Sequence, residues 1–478
     1  MRRAKIVATI GPVTEAEDRL RALMLAGMDV ARINMSHGQR EHHAEVIHRI
    51  RRVAAELNRS VAVMLDISGP KIRTGMMRGG EVLLEAGAEV QITSEMIEGD
   101  AHRFSSNYPL LAKEVHAGDR ILINDGEIEL QTISTTDTEV IARVVHGGPL
   151  GSRKGINLPG ARISIPSITE KDIADLKMGI EHGVDIVAQS FVRSAEDSRQ
   201  ARNLIKEFGG NARLIAKIEK PEAIDDFANI LDVSDGVMVA RGDLAVETST
   251  ERVPVLQKKI VAEAMQAQKT TITATQMLQS MIDNPRPTRA EASDVSNAIL
   301  DGSDAVMLSG ETAVGKFAVE SVQMMDRIIR ATEETENPSR EVMRQSMFGS
   351  ASGSYGRALA EAAIYAAEEV NCSLIVVMSL SGHMARRVAA LRPHQRIIAL
   401  TPYESSYQQL AVSWGIEPYL LKACPPDAAD LLARADQALL EYKLAERGEN
   451  IVAMAGRMTD LSISLSMKLH HVGELTQE

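Results

Sequence analysis

The sequence predicts an α/β protein built on a TIM (β/α)8 barrel, interrupted by an inserted small β-barrel and followed by an open α/β domain. Three observations carry this. Eight Val- and Ile-rich runs are each followed by an amphipathic stretch, one connection is longer than the others by roughly a hundred residues, and a second, shorter βα alternation begins late in the chain.

The eight runs are Lys5–Ile10, Val30–Ser36, Val61–Ile67, Asp185–Val192, Arg213–Glu219, Gly236–Leu244, Thr270–Met277 and Asp304–Thr312. The gaps between them hold one helix plus loops, as a parallel barrel requires, except the third. From about Pro70 to Pro166 that gap reads as short β segments (EVLLE, AEVQITS, DRILIND, TEVIARVVHGG) divided by Gly and Asp turns, hence a small β-barrel. After the eighth run a helix extends to about Arg330, and the polar stretch from Thr332 to Gly353 marks a boundary. Beyond it SLIVVMSLSG, RIIALTPY, IEPYLL and NIVAMAGR alternate with helical segments. The expected division is therefore 1–69 and 167–338 for the barrel, 70–166 for the insertion and 339–478 for the last domain.

A chain of 478 residues that is 44% hydrophobic can bury several cores, and its net charge of −12 argues against general binding to nucleic acid or anionic membrane. Two cysteines, Cys372 and Cys424, lie far apart outside any CxxC pattern, so neither a disulfide framework nor a zinc site is indicated and a cytoplasmic location is expected. The apolar runs are too short to span a bilayer.

Barrel enzymes carry their chemistry at the carboxyl ends of strands, and here those ends are polar. On the second run Arg32, Asn34 and Ser36 are spaced by two and share a face. On the fifth, Lys217 and Glu219 share a face, a pairing that suits phosphate and metal together and that also reads as an internal ion pair. The sixth places Arg241 and Asp243 on one face, with Gly242 letting a ligand approach the backbone. Two carboxylates on adjacent strands, Glu219 and Asp243, can hold one Mg²⁺ or Mn²⁺ when substrate oxygens complete its shell. Thr273 and Thr275 share a face on the seventh, and Ser309, Gly310 and Glu311 close the eighth in a structural role. Cations, two carboxylates and hydroxyls in one mouth match phosphoryl transfer better than hydride or acyl chemistry. No Rossmann GxGxxG, Walker loop or nucleophilic triad is present.

The segments KIVATIGP, AGMDVARINMSHG, GSRKGINLPG, AKIEKPEAI, MVARGDLAVE and ATQMLQSMIDNPRPTRAEASDVSNAILDGSDAVMLSGETAVGK resemble those of pyruvate kinases, strongly from Lys5 to about Lys316 and more loosely beyond. That resemblance implies a catalytic barrel, a mobile lid formed by the insertion and a C-terminal regulatory domain. It implies transfer of a phosphoryl group from phosphoenolpyruvate to ADP, giving pyruvate and ATP, in a homotetramer. It gives Lys217 to the migrating phosphoryl group, Glu219 and Asp243 to the divalent ion, and Arg32, Gly242, Asp243 and Thr275 to substrate, with Arg32 and Thr275 also catalytic. Arg73, His37 and Lys154 match nucleotide-contacting positions, and Asn34, Ser36 and Asp66 match a potassium site.

Two departures refine the expectation. Many members carry a glutamate where LDISGPKIRTG has Lys71, and that glutamate accompanies a K⁺ requirement; the inverted charge predicts a K⁺-independent enzyme. In the last domain Ser379, Ser381 and Gly382 form a candidate phosphate nest, equally readable as a helix cap, for a phosphorylated effector. The late effector loop appears as GRMTDLSISLS, short of the glycines that would wrap a sugar bisphosphate, so a monophosphorylated effector or none is expected. A Mg²⁺-dependent lyase or aldolase acting on pyruvate or another keto acid is the alternative on the same type of barrel.

Overall fold

The computed structural model describes residues 2–161, 163–334, 354–421, 428–459 and 462–475. The expected boundary at 338/339 and Cys424 fall outside them. Eight strands close a parallel barrel: β1 (Lys5–Ile10), β2 (Val30–Asn34), β3 (Ala62–Ile67), β4 (Ile186–Gln189), β5 (Arg213–Ile218), β6 (Gly236–Ala240), β7 (Thr270–Ala274) and β8 (Ala305–Leu308). Helices cover the outside, so both faces of each strand are buried and the runs are apolar almost throughout. Inside, Val7, Val30, Met64, Ile186, Ile215, Met238, Ile272 and Met307 form one packed cluster. On three strands, two residues further along the inward face lies the polar mouth: Met64 leads to Asp66, Ala188 to Ser190 and Ile215 to Lys217.

The sequence runs overshot at their carboxyl ends. Residues Arg241–Glu247 form a helix, so Arg241 and Asp243 lie on its first turn rather than on one face of a strand. Thr275 lies past β7 with φ of +71°, so it does not share a face with Thr273, whose hydroxyl is buried against Ser303. Gly310–Ala313 is likewise helical. The physical reason is that a barrel strand must leave the sheet as soon as its hydrogen-bond ladder ends, whatever the next residues prefer.

The opposite end of the barrel is regular. An aspartate stands one residue before each even-numbered strand: Asp29, Asp185, Asp235 and Asp304. Each accepts a backbone N–H from the preceding odd strand, at Ile6, Val63, Leu214 and Thr271, over 2.7–2.8 Å. Each is also paired with one arginine: Arg2 (2.7 Å), Arg51 (2.6 Å), Arg202 (2.7 Å) and Arg392 (3.0 Å). These carboxylates staple odd to even strands, and the repeated Asp escaped the sequence reading.

The inserted segment folds around its own core of Phe104, Ile121, Leu130, Val140 and neighbours. It contains a six-stranded sheet, in the order 156–157, 120–123, 128–135, 139–146, 89–93, 103–105, and a ribbon of 81–84 with 148–151. The C-terminal sheet is β9 (Leu374–Met378), β10 (Arg396–Thr401), β11 (Ile416–Leu420), β12 (Asn450–Thr459) and β13 (Ser462–His471), in the order β11-β10-β9-β12-β13. All its pairings are parallel except the β12–β13 hairpin. Of GRMTDLSISLS, read above as a loop, residues 456–459 and 462–466 belong to the two strands of that hairpin, the second of which continues an alternating apolar pattern through Leu469. Among the described residues, no helix is long and apolar enough to cross a membrane.

Candidate active site

At the mouth of the barrel a cavity of about 500 Å³ is lined by Arg32, Asn34, Ser36, Asp66, Lys71, Ser190, Lys217, Glu219, Asp243 and Thr275, among others. Its floor is one ion network. The Lys217 ammonium donates to Ser190 Oγ (2.7 Å) and pairs with Glu219 (2.9 Å) and Asp66 (3.4 Å). Asp66 also takes Arg32 Nε at 2.7 Å, and Arg32 donates a second bond to Thr9 Oγ1 at 2.9 Å. All four charged residues are less than 10% exposed. None can therefore be solvated in place of being paired.

The electrostatics of this network are uneven. Burial works against the Lys217 ammonium, but Asp66 and Glu219 outweigh it and hold its pKa well above the ordinary lysine value. Burial of Asp66 is likewise outweighed by Arg32 and Lys217, which keep its carboxyl below the usual range. Glu219 moves the other way. Burial raises it, Asp243 raises it further, and the one ammonium it shares with Asp66 does not compensate. Glu219 and Asp243 line the same cavity, and two carboxylates on one wall are a donor set for a hard divalent cation. Glu219 Oε2 is oriented by the backbone N–H of Phe191 (2.8 Å), a residue held at φ +56°. Among the described residues no group of three or more His, Cys, Asp or Glu side chains is arranged as a metal cage, so the protein offers two carboxylates and leaves the rest of a coordination shell to ligand and water.

Thr275 is strained as well as placed. A β-branched residue at φ +71°, followed by Gln276 at +54°, is unfavourable backbone that the surroundings must hold. Its Oγ1 accepts from the Gly242 N–H (2.9 Å) and donates to the Ala274 carbonyl (2.6 Å). Arg241 locks the same turn through the Ala274 and Thr275 carbonyls and pairs with Asp294 at 2.7 Å, which takes it out of the cavity. Gly242 itself lines a wider adjoining cleft with Asp243, Thr275 and residues of the insertion.

The other expected residues are distributed more loosely. Arg73 and Lys154 lie on paired segments of the insertion, joined through Thr74 N to the Lys154 carbonyl at 2.8 Å. His37 sits beyond β2, and partial burial followed by the charges of Lys71, Arg73 and Arg32 lowers its pKa. Neither Arg73, His37 nor Lys154 is among the cavity-lining side chains. Lys71 lines the same cavity as Asn34, Ser36 and Asp66. No hydrogen bond or ion pair joins its ammonium to them among the described residues, because Asp66 is already taken by Arg32 and Lys217. Ser379, Ser381 and Gly382 are in the C-terminal domain at the start of the helix His383–Ala390, with Gly382 at φ +71°. Ser190 and Thr9, which fix Lys217 and Arg32, were missed. Their signal was the period of two at the strand end for Ser190 and the register Thr9 to Arg32 for Thr9.

The insertion reaches the barrel by direct contact. Asn157 Nδ2 donates to Glu247 Oε1 (2.7 Å), which also pairs with Lys220 (2.7 Å), and the Arg193 guanidinium donates to the carbonyls of Ile163 and Ile165.

Comparison with known proteins adds three findings. Residues 1–322 match the family model for the pyruvate kinase barrel domain, and residues 357–467 match that for the pyruvate kinase alpha/beta domain. The pyruvate kinases of Staphylococcus aureus strains COL and MW2 are each 42% identical over 477 residues, covering 99% of this chain and 81% of theirs. The crystal structure of a pyruvate kinase from Cryptosporidium parvum superposes with a TM-score of 0.92 at 36% identity, covering 98% of this chain and 96% of that one.

Proposed function

The chain belongs to the pyruvate kinase family, and from that premise we propose that it transfers the phosphoryl group of phosphoenolpyruvate to ADP at the mouth of the barrel, yielding pyruvate and ATP. The observation that carries this reading is the buried Lys217 ammonium, held protonated between Asp66 and Glu219 in a cavity of substrate size. A fixed cation beside a cavity stabilises the charge that spreads over the equatorial oxygens of a phosphoryl group in transit, and it needs no reorganisation to do so.

Arg32, fixed by Asp66 and Thr9, presents its remaining N–H groups to the substrate carboxylate or phosphate. Glu219 and Asp243 would hold a divalent ion, Mg²⁺ or Mn²⁺, which when bound supplies Lewis-acid charge to phosphate oxygens. Thr275, its hydroxyl oriented by Gly242 and Ala274, is suited to placing the proton that the enolate takes up, directly or through water. Arg73, His37 and Lys154 meet the nucleotide phosphates as the insertion closes over the mouth and excludes water. In this reading the insertion is residues 70–166 and the C-terminal domain, from 339, is regulatory, with Ser379, Ser381 and Gly382 receiving a phosphorylated effector. A homotetramer in the cytoplasm completes the proposal.

Monovalent-cation independence rests on Lys71, whose unpaired ammonium lines the wall occupied by Asn34 and Ser36. Activity should persist, within about twofold, when tetramethylammonium replaces K⁺; a drop of about tenfold or more would remove the idea. Pyruvate formation that requires both ADP and a divalent ion, and that fails in Lys217→Met, tests the main reading. Pyruvate formed without ADP would favour a keto-acid lyase instead.

A further inference from the structure

Four consecutive residues just past β4 touch both the charged mouth and the two places where the chain crosses between barrel and insertion. Ser190, 3% exposed, accepts the Lys217 ammonium on its Oγ at 2.7 Å. The N–H of Phe191 donates to Glu219 Oε2 at 2.8 Å. Val192 is fully buried in one apolar cluster with Ala216 and Ile218 of β5, which anchors the turn to the barrel. Arg193 donates from Nη1 to the Ile163 carbonyl and from Nη2 to the Ile165 carbonyl, each at 2.8 Å.

The chain enters the insertion just after Gly69 and returns through residues 163–166. At the outward crossing Gly69, at φ +65°, packs so closely on the Phe191 ring that a methyl group there would lie 2.7 Å from Cδ2. At the return crossing the chain is held from two sides. Arg193 takes the carbonyls flanking Ser164, while Ser164 gives its own N–H (3.1 Å) and its hydroxyl to Glu114 of the insertion. A third contact reaches the same ring: the Lys220 ammonium stands 5.9 Å from its centre and pairs with Glu247, which accepts from Asn157 of the insertion. Phe191 is itself at φ +56°, unfavourable backbone for an aromatic residue, so its conformation depends on these neighbours.

We propose that Phe191 and Arg193 are positioning residues that couple the pose of the insertion to the metal ligand Glu219 and, through Ser190, to Lys217, an assignment that rests on the mouth being a phosphoryl-transfer site closed by the insertion. Movement at either crossing bears on the Phe191 ring or the Arg193 guanidinium, and the N–H that orients Glu219 lies between them. Such coupling is reciprocal: where the pose of the insertion changes affinity for the ion, the ion changes the pose by the same factor. The sign separates position from charge. Arg193 does not line the mouth cavity but shares a neighbouring one with Asp243, so removing its positive charge would by electrostatics alone favour a cation at the mouth. Weaker cation binding on its removal therefore reports lost geometry.

Two measurements on the full-length protein without substrates test this: Mn²⁺ titration followed by electron paramagnetic resonance, with Glu219→Gln marking the site, and amide hydrogen exchange at residues 163–165. In the wild type Mn²⁺ should slow exchange of the Ser164 N–H. Arg193→Met should weaken Mn²⁺ binding about five- to tenfold and abolish that slowing. Arg193→Lys keeps the charge without the planar fork, and Phe191→Leu keeps the N–H without the ring; each should weaken binding about threefold. A merely structural role would lower the melting temperature of these variants and leave the Mn²⁺ affinity of the folded protein unchanged. Affinity within about twofold of wild type in both Arg193→Lys and Phe191→Leu, tighter binding in Arg193→Met, or wild-type exchange at 163–165 that Mn²⁺ does not alter would overturn the proposal and leave the mouth reading standing. A wild type with no Mn²⁺ site that Glu219→Gln removes would overturn the mouth reading, and the proposal with it.

Discussion

At the foot of the barrel each of four aspartates has one arginine and one backbone N–H, whereas at the mouth two carboxylates compete for one lysine while a third, Asp243, presses on Glu219. Both ends are built from buried carboxylates and basic side chains. The difference lies in sharing: each foot aspartate has an arginine of its own, whereas at the mouth Glu219 shares the Lys217 ammonium with Asp66. A buried ion pair that is fully satisfied holds strands in register, while one left short of charge is a binding site awaiting its counterpart.

Lys217→Met breaks the mouth network at its centre. Turnover should fall about 10³-fold or more, corresponding to about 4 kcal/mol of lost transition-state stabilisation, with KM values changing far less. Retention of more than about a tenth of wild-type kcat would refute the role of the ammonium.

The foot is probed by pH. Asp185, 4% exposed, has its pKa raised to about 6, chiefly by burial that Arg51 and the Val63 N–H only partly offset. A carboxyl raised above its unfolded value binds its proton more tightly in the native state, so the wild type loses stability as pH rises from about 4 to about 6 and loses no more from this group above that. The span is about 3 kcal/mol. Asp185→Asn should flatten that stretch of the stability profile, measured by denaturant titration at successive pH values; an unchanged slope would show that the group titrates normally.

At the mouth again, Glu219→Gln removes charge from the pair that faces a divalent ion. The metal concentration for half-maximal activity should rise about 10- to 100-fold, with partial rescue at high metal. An unchanged metal requirement would assign the ion elsewhere. The smallest effect is expected where the insertion touches the barrel: Asn157→Ala loses one hydrogen bond to Glu247, worth about 1 kcal/mol, and should raise the apparent KM for ADP about two- to fivefold without altering Lys217-dependent chemistry. A wild-type KM would sever the link between that contact and closure.

Much of this was legible along the chain. The eight strands, the insertion and the C-terminal alternation follow from apolar runs and turn residues, and Arg32, Lys217 and Glu219 follow from a period of two carried past the apolar layer. Less legible were positions where the chain leaves the sheet. Asp243 and Thr275 were found as residues but placed on strands, because nothing local marks the end of a hydrogen-bond ladder. Lys71 was read as a substitute for a bound cation among Asn34, Ser36 and Asp66; it reaches their cavity, but Asp66 is paired with Arg32 and Lys217.

The sequence by itself determined the strand inventory, the polar character of the strand ends and the balance of residue types at the mouth, since these depend on periodicity and composition. Only the tertiary structure decided which charges have partners. Asp29, Asp185, Asp235 and Asp304 look like Asp66 in one dimension. Whether a buried charge is closed or open depends on neighbours from other strands and from another domain, and those distances exist only once the barrel has closed.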